Sequence, residues 1–172
     1  MQLSDLIVAE GGAPAATGAF DIRGITADSR AVAPGFLFAA LAGSRTDGAR
    51  FVADAVARAA AAILAVEGVT IDAPARVPVL RAREPRRALA RMAARFHPRQ
   101  PQHMLAITGT SGKTSVADFT RQILAALGVR AASLGTIGLV RPDGAVYGSL
   151  TTPDPVSLHA TLDDLGGDGI TH

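Results

Sequence analysis

The sequence predicts an α/β protein in two blocks, and three observations carry that expectation. Short apolar runs alternate with stretches of helical period, the pattern of strands and crossover helices in a mostly parallel sheet. His97-Pro98-Arg99-Gln100-Pro101-Gln102 has two prolines and no periodicity, and breaks the chain in two. Beyond the break, a strand-like run, Met104-Leu105-Ala106-Ile107, and a helix-like run, Val116 to Leu127, flank Thr108-Gly109-Thr110-Ser111-Gly112-Lys113-Thr114-Ser115. The expected organisation is a small N-terminal domain over 1–98, a linker over 99–103 and the start of a parallel-sheet domain over 104–172.

In the first block, Met1 to Glu10 reads as a helix ending at Gly11-Gly12, and Ile22 to Thr26 as a strand leading into Asp28-Ser29-Arg30. Pro34-Gly35 is a turn, and Phe36 to Leu41 reads as a buried strand. Phe51 to Ala62 reads as a helix with Val52, Val56 and Ala59 on one stripe. Ile63 to Val66 and Val77 to Leu80 are the next strands. Glu84 to Phe96 is a helix with Leu89, Met92, Ala93 and Phe96 inward, and Arg87, Arg91 and Arg95 on a solvated face.

In the second block, the helix after the glycine loop carries Val116, Phe119, Ile123, Leu124 and Leu127, with Gly128 as its stop. Arg130 to Ile137 reads as a second strand and Pro142-Asp143-Gly144 as a hairpin turn. Asp154 caps a helix with Pro155 at its first position, running to about Leu165. Gly169 to His172 reads as the approach to a further strand, so a truncated portion of a larger protein is expected.

Composition limits the function classes. The 172 residues are 48% apolar and 19% charged, enough to bury a core. There is no cysteine, so disulfide and thiolate chemistry are excluded. The net charge is only +2 and the arginines are scattered rather than clustered with aromatics, which argues against nucleic-acid binding. The longest apolar run, Ala59 to Val66, is too short to span a bilayer, and the N-terminus does not read as a secretory signal. A soluble, cytoplasmic monomer is the expectation, without nucleic-acid or membrane partners. His97, His103, His159 and His172 have no metal-ligand spacing. Asp163 and Asp164 read as solvated or capping carboxylates.

The strongest chemical signal is the loop Gly109 to Ser115. Lys113 is the only lysine in a chain whose Lys and Arg number 17. Glycines let the backbone point successive N–H groups at phosphates, and the following helix adds the positive end of its dipole. Lys113 would bridge the outer phosphates of ATP, and the Thr114 hydroxyl is a candidate ligand for Mg²⁺. The spacing departs from the general phosphate loop, because Ile107 stands where its first glycine would be. Asp28-Ser29-Arg30, Thr46-Asp47-Gly48 and Thr151-Thr152-Pro153-Asp154-Pro155 each read alone as a turn or helix start; together with the loop, their order is informative.

The set comprises Ala27 to Arg30, Pro34 to Gly43, Thr46 to Gly48, Gly109 to Ser115, Leu134 to Gly138 and Leu150 to Pro155. It resembles the Mur ligase family over nearly the whole chain. Gly135-Thr136-Ile137-Gly138 and Thr151 to Pro155 point to the member that adds the third peptide residue to a UDP-N-acetylmuramoyl dipeptide. The resemblance implies a UDP-sugar-binding first domain and an ATP-binding second domain. Ala27 and Ser29 would lie on the uracil side, Ser44, Arg45 and Thr46 near the diphosphate, and Thr151 and Thr152 on the muramoyl peptide. Gly109, Thr110, Ser111, Gly112, Lys113, Thr114 and Ser115 would hold ATP, with Lys113 and Thr114 catalytic. It further implies an ATP-dependent amide ligase working through an acyl phosphate, with the dipeptide substrate and an amino acid, meso-diaminopimelate or L-lysine, as partners. The family's Mg²⁺-binding glutamate and carbamylated lysine would lie beyond His172, so this chain by itself is expected to be inactive. A UDP-sugar or nucleotide-binding module without catalysis, or another phosphate-loop NTPase, are the alternatives.

Overall fold

The computed structural model describes residues 1–7, 19–43, 47–144, 146–147 and 153–172. They divide into two units, Met1–Phe96 and His97–His172.

Four strands build the first unit: β1 (Gly24–Thr26), β2 (Phe36–Ala40), β3 (Ala62–Val66) and β4 (Val79–Ala82). They pair side by side in chain order, all parallel, with Thr26 opposite Phe38, Phe38 opposite Ile63 and Ile63 opposite Val79. β2 and β3 are near-continuous apolar runs, as strands covered on both faces must be. Alternation sends Phe38, Ala40 and Ile63 to one face, where they pack with Val32, Val52, Ala55, Ala60 and Val77. The short helix α2 (Val52–Ala57) supplies two of those residues. Leu37, Ala39 and Leu64 point to the other face and are equally buried. On that side α3 (Pro85–Phe96) buries Ala88, Leu89, Met92 and Ala93 and packs on β3 and β4, while α1 (Leu3–Leu6) rests on α3.

Local departures from expectation have physical causes. The predicted helix over Phe51 to Ala62 stops at Ala57. Ala59 takes a left-handed conformation, φ 62°. Its carbonyl accepts from Gly35 N–H at 3.0 Å, and Ala61 N–H donates to Phe36 O at 2.8 Å, so bonds to the sheet override alanine's helical preference. The fourth strand runs from Val79 rather than Val77, because Pro78 has no N–H to give a ladder. Arg95 is not merely solvated: it donates to Leu6 O at 2.5 Å and fastens α1. Of the helix expected over Met1 to Glu10, the described part forms at Leu3–Leu6.

Both loops leaving the carboxyl ends of β1 and β2 are locked by an aspartate. Asp28 Oδ1 accepts from the Arg30 backbone N–H at 2.9 Å, and its carboxylate grips the Arg30 guanidinium at 3.0 and 2.8 Å. These bonds, the guanidinium's first, lower the Asp28 carboxyl to about 2 from its ordinary 3.8. Asp47 accepts from Ala49 N–H at 3.0 Å. A Cβ on Gly48 would fall 2.5 Å from Leu41 O, so only glycine fits there. Arg86 of α3 donates to Ala42 O at 2.7 Å and holds the start of the second loop.

The second unit contains α4 (Lys113–Ala126), the strands β5 (Ser133–Gly135), β6 (Gly138–Val140) and β7 (Val146–Tyr147), and α5 (Pro155–Gly167). The sequence predicts a parallel sheet here, but these strands form an antiparallel three-stranded sheet. The run expected to be one strand, Arg130 to Ile137, folds back at Thr136-Ile137, because Gly138 adopts φ 112° and closes a two-residue turn. The Pro142-Asp143-Gly144 hairpin forms as expected, with Gly144 N–H on Arg141 O at 2.9 Å. Met104 to Ile107 is not a strand: among the described residues it has no ladder partner, and its neighbour His103 makes a single backbone bond, to Thr171 O at 3.0 Å. Residues 171 and 172 lie between His103 and the Arg130–Ala132 segment, bonding both. On α4 and its C-cap, Val116, Phe119, Ile123 and Leu127 are 52 to 73% exposed, so this apolar stripe is uncovered. Asp154 caps α5 through Val156 and Ser157 N–H, with Pro155 at the first position as expected. The helix continues through Gly166-Gly167 and stops at Asp168-Gly169.

Two measurements test this architecture. In urea unfolding followed by circular dichroism, Leu89→Ala, at a fully buried position, costs about 2–5 kcal/mol. Ile123→Ala, on the uncovered stripe, stays within about 0.5 kcal/mol. In an NMR titration the Asp28 carboxyl has its midpoint at about 2, and Arg30→Ala raises it toward 3.8. Because the folded value is depressed, the Asp28–Arg30 lock contributes fully above the ordinary value and is lost as pH falls toward 2.

Candidate functional site

The glycine loop is shaped for phosphate by its backbone. Gly109 has φ 145° and Gly112 φ 77°, conformations that side chains resist. Gly112 is the N-cap of α4 and offers no side-chain bond, and Val116 N–H is the amide that returns to Gly112 O, at 2.9 Å. The first-turn N–H groups of Lys113, Thr114 and Ser115 therefore sit at the positive end of a 14-residue helix with no side chain capping them. A Cβ at Gly112 would meet nothing within 4 Å, so the loop's mouth is open. Lys113 Nζ donates to Gly109 O, folding the ammonium back across the loop. A phosphate oxygen, which is charged, is a stronger acceptor than that carbonyl and can exchange with it.

Lys113 and Thr114 line one end of a cavity of about 350 Å³, whose other walls include Leu105, Leu124, Leu134 and Leu162. Arg121 also lines it. Its Nη2 bonds Asp118 Oδ1 at 2.8 Å, whereas its buried Nε has no partner. Bonds from Arg121 and then Gln122 hold the Asp118 carboxyl below its usual range. Arg121 carried no signal in the sequence beyond its helical spacing from Lys113.

Fit to a nucleotide and to a metal ion differ in kind. The uncapped amides, the left-handed glycine and the ammonium suit a polyphosphate. For Mg²⁺ the loop offers hydroxyls, that of Thr114 among them, and no carboxylate, and among the described residues no three His, Asp or Glu side chains gather around a point. A cation here would rest on Thr114 and the oxygens of the phosphates it accompanies.

On the first unit, Ala27 and Ser29 follow the carboxyl end of β1, and Leu41 to Gly43 follow that of β2. Adjacent parallel strands put both on one edge of the sheet, where open α/β sheets hold their ligands. Ala27 is exposed and Ser29 half-exposed, at the start of the 3₁₀ turn that Asp28 caps. Ser44, Arg45, Thr46, Thr151 and Thr152 lie outside the described residues. Gly109 to Ser115 come together as one loop.

Two groups were read differently from sequence. Asp163 is buried and paired with Arg99, not solvated. His103 and His172 stack with ring centres 4.4 Å apart, a pairing across a separation that no local spacing signals. Half-buried His159 has its pKa lowered by burial and then by the His97 charge.

Comparison with known proteins follows the same division. Residues 21–97 match "Mur ligase family, catalytic domain", and residues 107–172 match "Mur ligase middle domain". A relative from Bradyrhizobium diazoefficiens, named UDP-N-acetylmuramoyl-L-alanyl-D-glutamate--2,6-diaminopimelate ligase, is 54% identical over all 172 residues, which cover 35% of its own length. One of the same name from Brucella melitensis is 53% identical over 172 residues, again covering 35% of that protein. The chain thus spans about a third of the length of these curated relatives. A solved structure of a ligase with that name shares the fold at TM-score 0.68 and 24% identity, over 87% of this chain and 30% of the other. The UDP-N-acetylmuramoylalanyl-D-glutamyl-2,6-diaminopimelate--D-alanyl-D-alanyl ligase of Acinetobacter baumannii aligns at TM-score 0.51 and 28% identity, over 84% of this chain and 28% of the other. With both matched segments in chain order and relatives above half identity along its full length, the chain belongs to the Mur ligase family.

Proposed function

We propose that this chain provides the UDP-sugar-holding and ATP-holding parts of an ATP-dependent ligase that joins 2,6-diaminopimelate to UDP-N-acetylmuramoyl-L-alanyl-D-glutamate. The observation that carries this reading is the 54% identity, along every residue of the chain, to a ligase of that name. That name favours diaminopimelate over lysine as the added residue. The open glycine loop supports it as well, since left-handed Gly112 leaves the start of α4 uncapped and unobstructed.

In this reaction class a substrate carboxylate oxygen attacks the γ-phosphorus of ATP, the bond to the bridging oxygen breaks, and ADP leaves. The amine of the incoming amino acid then attacks the acyl carbon, loses a proton and expels phosphate. The chain's own residues position groups and stabilise charge. The first-turn amides of α4 hold phosphate oxygens, and Lys113 releases Gly109 O to meet negative charge developing on the transferred group. Mg²⁺, when bound, supplies further neutralisation beside Thr114. Ala27 and Ser29, at the carboxyl edge of β1 and β2, face the uridine, and Ser44, Arg45 and Thr46 lie near the diphosphate. Thr151 and Thr152, just before the Asp154 cap, take the muramoyl peptide. The remaining two-thirds of the relatives' length holds the rest of the machinery, so this chain alone binds without forming product. No helix among the described residues is long and apolar enough to cross a membrane, which suits a cytoplasmic site of action.

Calorimetry on the purified chain tests the two sites separately. Lys113→Met weakens ADP or ATP binding at least tenfold and leaves the UDP-sugar unaffected. Ser29→Ala weakens the UDP-N-acetylmuramoyl dipeptide about threefold to tenfold, as expected for one hydrogen bond of ~1 kcal/mol, and spares ADP. A folded chain that binds ADP but ignores the UDP-sugar at millimolar concentration would point instead to another phosphate-loop NTPase. Release of ADP with amide product by this chain alone would overturn the assignment of catalysis to the longer protein.

A further inference from the structure

At the carboxyl edge of the four-stranded sheet, three arginines around the start of α3 are used in two ways. Arg83, just past β4, pairs with Glu67, just past β3, at 3.1 Å, and Arg87 pairs with Glu84 at 3.2 Å. Arg86 stands between them in the chain and pairs with no carboxylate among the described residues. Its Nη2 donates to Ala42 O at 2.7 Å, 44 positions away. Because α3 follows β4 and Ala42 follows β2, this side chain spans the carboxyl end of β3 to reach the exit of the next strand.

Ala42 is one foot of the stretch that leaves β2. The other foot is Asp47, which forms an antiparallel bridge with Ala42. Next to it, Gly48 N–H donates to Leu41 O at 3.0 Å, and a Cβ on Gly48 would fall 2.5 Å from that oxygen. The Asp47 carboxylate is engaged by Ala49 N–H. Backbone thus closes the two feet against each other, and Arg86 fastens them from a different element.

Stability alone gives this bond little to do. Arg86 and Ala42 are both exposed, and an exposed bond that immobilises a long side chain adds little to the fold. What the bond fixes is direction. Ala42 O and Gly43 N–H belong to one planar peptide unit, so holding the oxygen sets how the chain enters Gly43. A guanidinium carries several N–H donors, so one nitrogen can hold the carbonyl while its charge remains available to an anion.

We propose that Arg86 is a positioning residue for the diphosphate of the UDP-sugar: it holds the Ala42 foot of the stretch that leads to Ser44, Arg45 and Thr46, and keeps a positive charge there that no carboxylate matches. The inference rests on the reading of those three residues as neighbours of the diphosphate, and adds to them a residue from another element.

NMR titrations of the 172-residue chain with uridine 5′-diphosphate and with uridine, read at the Ser29 amide, test it. Arg86→Met keeps an apolar stem and loses the donor and the charge. It weakens the diphosphate about fivefold or more, the effect of one hydrogen bond, and leaves uridine within about twofold. Arg86→Lys, which keeps the charge and a donor, recovers most of the loss. Both variants keep the wild-type melting temperature and ADP affinity. Exchange of the Gly48 amide rises about threefold in Arg86→Met, while Leu64 in the core keeps its protection. Unchanged affinity for the diphosphate in Arg86→Met overturns the inference and leaves the proposed function standing. An equal loss for uridine and its diphosphate also overturns it, since Arg86 would then brace the whole edge. A variant that no longer folds does the same, because the bond would then serve the fold. A wild-type chain that ignores the diphosphate at millimolar concentration removes the UDP-sugar reading, and this inference with it.

Discussion

Parallel pairing of β1 to β4 is the constraint from which the first unit follows. Parallel neighbours cannot be joined by a tight turn, so each connection crosses the sheet and returns, and every strand releases its chain at the same edge. The crossing after β2 brings α2 to one face, α3 after β4 covers the other, and β2 and β3 between them are near-uniformly apolar. At the carboxyl edge the chain must change direction without a ladder to hold it. Asp28 and Asp47 solve that locally, each accepting from an amide two residues on. Candidate ligand residues collect at this edge because it is where backbone leaves the sheet with its polar groups available.

The second unit rests on a different device. Gly112 in a left-handed conformation turns the chain into α4 with no side chain in the way, so the helix start keeps its amides for an external acceptor. Capping would have stabilised α4 by about 0.5–2 kcal/mol, and the fold forgoes it. With Lys113 resting on the loop's own carbonyl, its exposed ammonium is held back across the loop beside the cavity that it lines.

What the sequence revealed depended on the range of the interaction responsible. The Asp154–Pro155 helix start, the Gly128 stop and the buried stripe of α3 rest on neighbours within two turns, and all were legible. So was the glycine loop, whose shape is written in two glycines and a helix start. The end of α2 was not, since it is fixed by bonds from Ala59 and Ala61 to the Gly35-Phe36 turn. Met104 to Ile107 has the composition of a strand, but a strand exists only through its neighbour, and apolar residues do not name one. Asp163 looked like any carboxylate on a helix; its role depends on Arg99, 64 positions away. Of the candidate site, Gly109 to Ser115 form one loop leading into α4, and Ala27 and Ser29 follow the carboxyl end of β1.

The scarcity of lysine has a chemical consequence. Arginine stays protonated and resists acylation at neutral pH, so amine-directed reagents find two targets in this chain. One is the N-terminal amine, which bonds Asp21 at 3.1 Å and Ile22 O at 3.2 Å. The other is Lys113. A reagent that consumes amines therefore reports on the phosphate loop almost alone, against a single background group on the other unit. The glycine loop can thus be addressed covalently without engineering a handle into it.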